Sequence, residues 1–373
     1  MKFRSIFQLA TVFFFATLLF TSCAHSPQVS PRVKRPTYIY PERYFDYKGA
    51  KVCYVDAGKP DGEPIIFLHG VLGDIHLWRK TMKALEKDYR VLAIDLPGYG
   101  KSDKGEQIPM SISYYAGVIH EFIELKQLKK PALAGVSLSG HIVLYYALNF
   151  PDEISKAVVA GSVGVDREMK WYEEMEYAAL WHNFIIDKVL TRKNFQKIWT
   201  QQFSCSREYD AEYDQMPIFH DPKEHELFIA SFNNSISSIF FTSLRDSVKE
   251  IRVPLLILWG GFDQHHGVQD AYYLHEQVPG SKLAISSQCG HLLMLDDPEF
   301  FNGALVNFLR TGDPEVPSVS LEEIRKLAKE KGVKLKEPKA SLTTLSVTAV
   351  KSLGEKMMAK DGKNDTSEES PKG

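Results

Sequence analysis

Cysteine is scarce: four occur in 373 residues. Setting aside Cys23, at the end of an apolar N-terminal run, three remain: Cys53, Cys205 and Cys289. Three cannot all pair, and their spacing matches neither a disulfide framework nor a zinc site, so the fold is expected to stand on its core. Excess charge is lacking too. With 45 Lys and Arg against 47 Asp and Glu, the net charge of −2 offers no electrostatic footprint for a nucleic-acid partner. Metal-binding patterns are missing. His265-His266 has no supporting ligand spacing, and His220 and His225 do not form H-E-x-x-H, so no metal is expected. No internal repeats are seen. What is present is ordinary globular chain: 44% apolar and 25% charged residues, in a length that allows one large domain or two smaller ones around a substantial core.

The one long apolar run is N-terminal. Lys2 and Arg4 precede an unbroken stretch of apolar and small residues, Leu9 to Phe20. As a helix it spans roughly 18 Å at about 1.5 Å per residue. A bilayer core needs roughly 30 Å, so the run reads as the core of a signal peptide and not as a membrane span. It ends Leu19-Phe20-Thr21-Ser22-Cys23-Ala24. Small residues before a cysteine resemble a bacterial lipoprotein signal, with Phe20 where leucine is usual. That resemblance implies a lipidated Cys23 as mature N-terminus and membrane association through it. Ala24 in place of aspartate implies the outer membrane, facing the periplasm. The alternatives are an ordinary cleaved signal peptide, giving a secreted or periplasmic protein, and an uncleaved anchor.

Composition and periodicity divide the rest. A Pro-rich, basic tether is expected over 23–40. Short apolar strands then alternate with amphipathic helical patterns, the signature of a mostly parallel sheet flanked by helices. Strands are expected at Lys51–Asp56, Pro64–Leu68, Tyr89–Ile94, Pro131–Gly135, Lys156–Ala160, Pro254–Trp259 and Lys282–Ser286. Helices are expected at Leu77–Leu85, Ser111–Leu128, Leu138–Asn149, Val268–Val278 and Pro298–Leu309. Between about Val163 and Lys249 the alternation stops, and aromatics at helical spacing take over: Trp171, Tyr172, Trp181, Phe184, Phe195, Trp199 and Phe203. This predicts a core over 41–162 and 251–312, interrupted by a helical cap over 163–250. In the extension 313–373, Ser320 and Glu323 make a capping box, Leu321, Ile324, Leu327 and Ala328 share one helix face, and Gly332 ends the helix. The polar, Lys-, Ser- and Thr-rich remainder is expected to be disordered.

The chemistry concentrates where a strand breaks into a helix around a serine: Pro131-Ala-Leu-Ala-Gly135-Val136-Ser137-Leu138-Ser139-Gly140-His141. In such a turn the residues two before and two after the serine are forced together and must be small. Gly135 and Ser139 hold those places, and Gly140 is expected to relieve helix–strand contact. The context is that of the nucleophile elbow. Upstream stands His69-Gly70-Val71-Leu72-Gly73 after an apolar strand. Next comes Asp95-Leu96-Pro97-Gly98-Tyr99-Gly100-Lys101-Ser102. Its Gly-Lys-Ser invites a phosphate-loop reading, but Asp95 stands where the first glycine is needed and no helix is expected after Ser102. Gly260-Gly261-Phe262-Asp263 follows the strand after the insertion, and Gln288-Cys289-Gly290-His291 follows the last strand, with Asp296-Asp297-Pro298 beyond.

Together these segments resemble the α/β-hydrolase family, in its serine esterase and lipase-like branch, over roughly Tyr44 to Leu309 apart from the insertion. Gly267 departs from a proline frequent in the family. The resemblance implies a catalytic triad of Ser137, Asp263 and His291, in the family's chain order, with each residue at the C-terminal end of a strand. It implies an oxyanion hole from the backbone N–H groups of Val71 and Leu138, with Asp95 structural. No cofactor is implied. A serine at 137 excludes relatives that displace at saturated carbon, because serine there would give an inert alkyl ether. The expected chemistry is carbonyl cleavage of a small-molecule ester, lactone, thioester or amide through an acyl-enzyme. Carbon–carbon bond hydrolysis by the same triad, and a non-catalytic envelope lipoprotein that kept the fold, stay open as alternatives. Protein partners are not legible.

Overall fold

A computed structural model describes residues 38–71, 73–105, 107–165, 221–317 and 319–335, with the backbone alone for 232–241. Apart from the first two, its strands are short and mostly apolar, as strands covered on both faces must be. They are β1 (Glu42–Tyr47), β2 (Ala50–Gly58), β3 (Pro64–Leu68), β4 (Arg90–Ile94), β5 (Ala132–Val136), β6 (Lys156–Ala160), β7 (Leu255–Gly260) and β8 (Lys282–Ser286). All eight join one sheet in the order β1-β2-β4-β3-β5-β6-β7-β8. β2 pairs antiparallel with β1 and with β4, and every other pairing is parallel.

The described helices are α1 (Arg79–Leu85), α2 (Ile112–Leu125), α3 (Leu138–Asn149), α4 (Pro222–Phe241), α5 (Val268–Gln277), α6 (Leu293–Asp296), α7 (Pro298–Thr311) and α8 (Leu321–Glu330). Because side chains alternate along a strand, the inner strands feed two apolar layers. Ile66, Leu68, Leu133, Val159 and Ile257 face a layer with α2, α3 and α5. Ile65, Phe67, Ala134, Val158 and Leu256 face the other, with α1, α6 and α7.

Differences from the sequence-based expectations are local. A 3-10 turn, Ile75–Trp78, precedes α1, because the Asp74 carboxylate accepts the His76 N–H and starts the turn early. Tyr38, in the segment expected to be tether, is buried, and its hydroxyl donates to Asp95 Oδ2 at 2.7 Å. Cys53 is a buried free thiol, whereas Cys289 is disulfide-bonded. The expected signal peptide with Cys23, the aromatic-rich part of the insertion (166–220) and the C-terminal tail (336–373) lie outside the described residues. Among the described residues, no helix is long and apolar enough to cross a membrane.

Candidate active site

Ser137 joins β5 to α3 with φ 56° and ψ −118°, a conformation that side-chain-bearing residues rarely adopt. The neighbours explain how the strain is held. A Cβ on Gly135 would lie 2.3 Å from the Ser139 carbonyl oxygen, so that position admits only glycine. Ser139 stands in the second tight place, and its hydroxyl has work there. It accepts the Val136 N–H at 2.8 Å and donates to the Leu68 carbonyl at 2.5 Å, tying the elbow to the end of β3. Gly140 makes the expected close approach, to Ser162 after β6.

The residues expected as acid and base follow the last two strands. Asp263 lies just past β7 and His291 past β8, both buried. His291 Nδ1 lies 2.7 Å from Asp263 Oδ2, the geometry in which the imidazole N–H donates to the carboxylate and leaves Nε2 available. The other carboxylate oxygen, Oδ1, accepts the backbone N–H groups of His265 at 2.7 Å and His266 at 2.9 Å. Burial pushes the Asp263 pKa up, but the charge and hydrogen bond of His291, helped by His266 and His265, outweigh it and bring it down to about 2. Asp263 therefore remains a carboxylate across any pH at which an imidazole can act as base.

Backbone contacts draw these groups toward Ser137. The Ser137 N–H donates to the Ala160 carbonyl at the end of β6. At the adjoining Gly161, a Cβ would sit 2.9 Å from His291 Nδ1 and 3.1 Å from Asp263 Oδ2. On the opposite side, a Cβ on Gly70 would lie 3.0 Å from the Ser137 Cβ, which sets the Gly70–Val71 segment against the serine. Leu138 opens α3, where the first N–H groups have no partner within the helix. The His-Gly segment is fixed by its own imidazole: His69 Nδ1–H donates to the Gly70 carbonyl at 2.8 Å, and Nε2 accepts the Leu96 N–H at 3.0 Å. Burial keeps that ring neutral by lowering its pKa.

Asp95 is structural, as expected, but reaches beyond its own turn. It accepts the N–H groups of Lys101 and Ile75 as well as the Tyr38 hydroxyl. His265 and His266, which lack metal-ligand spacing in the sequence, bond Asp263 through backbone N–H groups that no sequence pattern announces. His141 was not singled out. One turn along α3 from Ser137, its buried ring has no hydrogen-bond partner on either nitrogen among the described residues, and desolvation pushes its pKa down to about 3.

A family model described as alpha/beta hydrolase fold matches residues 63–298. The monoacylglycerol lipase ABHD6 of Bos taurus is 25% identical over 280 residues, 72% of this chain and 81% of that protein. A 2-hydroxy-6-oxononadienedioate/2-hydroxy-6-oxononatrienedioate hydrolase of Escherichia coli is 25% identical over 269 residues, 70% of this chain and 92% of that protein. Among solved structures, an esterase from Exiguobacterium antarcticum superposes with a TM-score of 0.61 at 26% identity, over 70% of this chain and 97% of its own.

Proposed function

The chain belongs to the alpha/beta hydrolase fold family, and we propose that within it this protein is a serine hydrolase of carboxylic esters. Ser137 Oγ attacks the ester carbonyl while His291 Nε2 takes its proton, and Asp263 holds the imidazole tautomer and stabilises the imidazolium. The N–H groups of Val71 and Leu138 receive the oxyanion, each such donor stabilising the transition state by about 3–4 kcal/mol. The leaving alcohol takes the proton back from His291, and water activated by the same imidazole releases the acid. One observation carries the reading: a buried His291–Asp263 pair at 2.7 Å beside the strained Ser137 turn. The lipase and esterase relatives support an ester of a small molecule or lipid.

The test is turnover of p-nitrophenyl esters together with fluorophosphonate labelling. Ser137→Ala and His291→Ala are each expected to lower kcat by roughly 10⁴-fold or more, and Asp263→Asn somewhat less. Near-normal turnover by Ser137→Ala sinks the assignment. The Escherichia coli relative supports a second reading, carbon–carbon bond hydrolysis with the same triad. A dienol diketone turned over faster than any ester would favour it.

The residues between β6 and β7 are proposed to cap this site. In their described part, the buried Phe228 of α4 lies 6.2 Å from the Tyr99 ring, and Tyr99 lies 5.4 Å from the ring of His69. That contact brings α4 to the loops at the C-terminal ends of the strands, where ligands of open α/β sheets bind. The expected preference is for short-to-medium apolar esters over charged ones. Folded Trp171→Ala and Trp181→Ala variants should reorder a chain-length series; an unchanged ranking in both removes the cap from specificity.

A further inference from the structure

The helix α8 lies beyond residues 63–298, the part that matches the family. Its contacts nonetheless converge on the acid and base turns. Ile324 is fully buried, and its Cδ1 lies 2.7 Å from the place a Cβ on Gly261 would occupy. Gly261 is the first residue past β7, two before Asp263. The same Cβ position is 3.2 Å from the carbonyl oxygens of Ser286 and Ser287, at the start of the segment that leads to His291. Ile324 therefore presses on the seam between the two turns. That seam is held by backbone bonds, Gly261 N–H to the Ser286 carbonyl at 2.7 Å and Phe262 N–H to the Cys289 carbonyl at 2.9 Å.

Flanking contacts repeat the pattern. Lys331, just past α8, donates to the Gln288 side chain in the base segment, and its ammonium lies 6.0 Å from the Phe262 ring in the acid turn. Before α8, the Val319 carbonyl accepts the hydroxyl of Tyr272 from α5, the helix that follows the acid turn. The helix brings its own order to these contacts, since Ser320 and Glu323 close a full capping box at its start.

We infer that α8 is a clamp on the catalytic acid and base turns, and that Ile324 is a positioning residue for the Asp263–His291 pair. The inference rests on the proposed roles of Asp263 and His291. The physical reason is geometric. A proton relay tolerates little misplacement, and an error of about 1 Å costs on the order of 10²-fold in rate. Ile324 adds a wedge to the backbone bonds of the seam and opposes relaxation of the Gly261 turn toward α8.

The experiment compares Ile324→Ala, Ile324→Val and Lys331→Ala in the full chain with Ile119→Ala, an equally buried isoleucine on α2, a helix that packs against α3. Thermal midpoints and steady-state ester kinetics are read for each. Ile324→Ala should lose about tenfold or more in kcat with KM changed by less than about twofold, and Ile324→Val should recover most of the loss. Ile119→Ala should lose thermal stability with kcat within about twofold of wild type. A normal kcat in Ile324→Ala, or an equal loss in Ile119→Ala at matched stability, overturns the clamp. If Ile324→Ala does not fold, Ile324→Val combined with Lys331→Ala is judged by the same criteria. Asp263→Asn and His291→Ala separate the failures. If they are inactive while the Ile324 variants are normal, the clamp alone falls; if they stay active, the triad assignment falls and the clamp with it.

Discussion

Asp74 is a buried carboxyl with a second carboxylate, Asp95, beside it. Desolvation and then the charge of Asp95 raise its pKa to about 7, against weaker opposition from His76 and Lys101. A carboxyl raised in the folded state holds its proton more tightly there than in the unfolded chain. The stability it adds is complete below the unfolded value near 3.8 and is lost as pH rises through about 7. Asp74→Asn keeps an acceptor for the His76 N–H and removes the charge. Its thermal midpoint should match wild type near pH 4 and exceed it by roughly 5 °C near pH 9. A midpoint difference that does not vary with pH would show that Asp74 is not titrating in this range. Such a residue is hard to read from sequence. Asp74 caps the turn that follows it, but its neighbour in space, Asp95, lies past β4, far along the chain. The same holds for the N–H groups of His265 and His266 on Asp263: side-chain types can be read along a chain, whereas backbone donors aimed at a carboxylate cannot.

The elbow shows how an element absorbs a departure from its family's pattern. Ser139, where glycine is usual, fills the tight place and also satisfies the Val136 N–H, which lies in a buried strand. Ser139→Gly restores the usual residue yet should destabilise the protein by about 1–3 kcal/mol, because a buried donor loses its partner and the helix gains a flexible residue. Urea unfolding measures this, and a Ser139→Gly protein as stable as wild type would refute it. Elements with strong periodicity were legible from sequence: β6, β8 and α3 fall where the pattern puts them, and the capping box places α8. β1 was not. It is an edge strand with polar residues, joined to β2 through Lys48 and Gly49, both at positive φ. That two-residue turn usually announces itself by Asn-Gly or Asp-Gly, and lysine hid it. α8 was legible as a helix but not as a neighbour of the site, because amphipathicity says that a face is buried and not what it is buried against.

At the scale of the whole molecule, the open matter is where the enzyme meets its substrate. The proposed lipid on Cys23 would tether the domain through the chain that leads to Tyr38, whose hydroxyl bonds Asp95 and whose ring lies 4.3 Å from the Lys101 ammonium. Fully extended, the chain from Cys23 to Tyr38 reaches at most roughly 50 Å at about 3.3–3.6 Å per residue. A domain confined that close to a bilayer meets membrane-dissolved esters at a raised effective concentration, while soluble esters reach it as before. Cys23→Ser should therefore separate two activities that share one site. The variant should leave the membrane fraction in a detergent-free extract and keep its kcat/KM for a short soluble ester within about twofold. It should lose on the order of 10²-fold in turnover of a long-chain ester presented in vesicles, since only the encounter has changed. Mass spectrometry of the mature N-terminus supplies the independent check. An unlipidated terminus at another residue, or a Cys23→Ser protein that still sediments with membranes, would remove the anchor while leaving the triad proposal standing. Equal losses on both substrates would instead mean that the substitution had damaged the domain, and a thermal midpoint below wild type would reveal it.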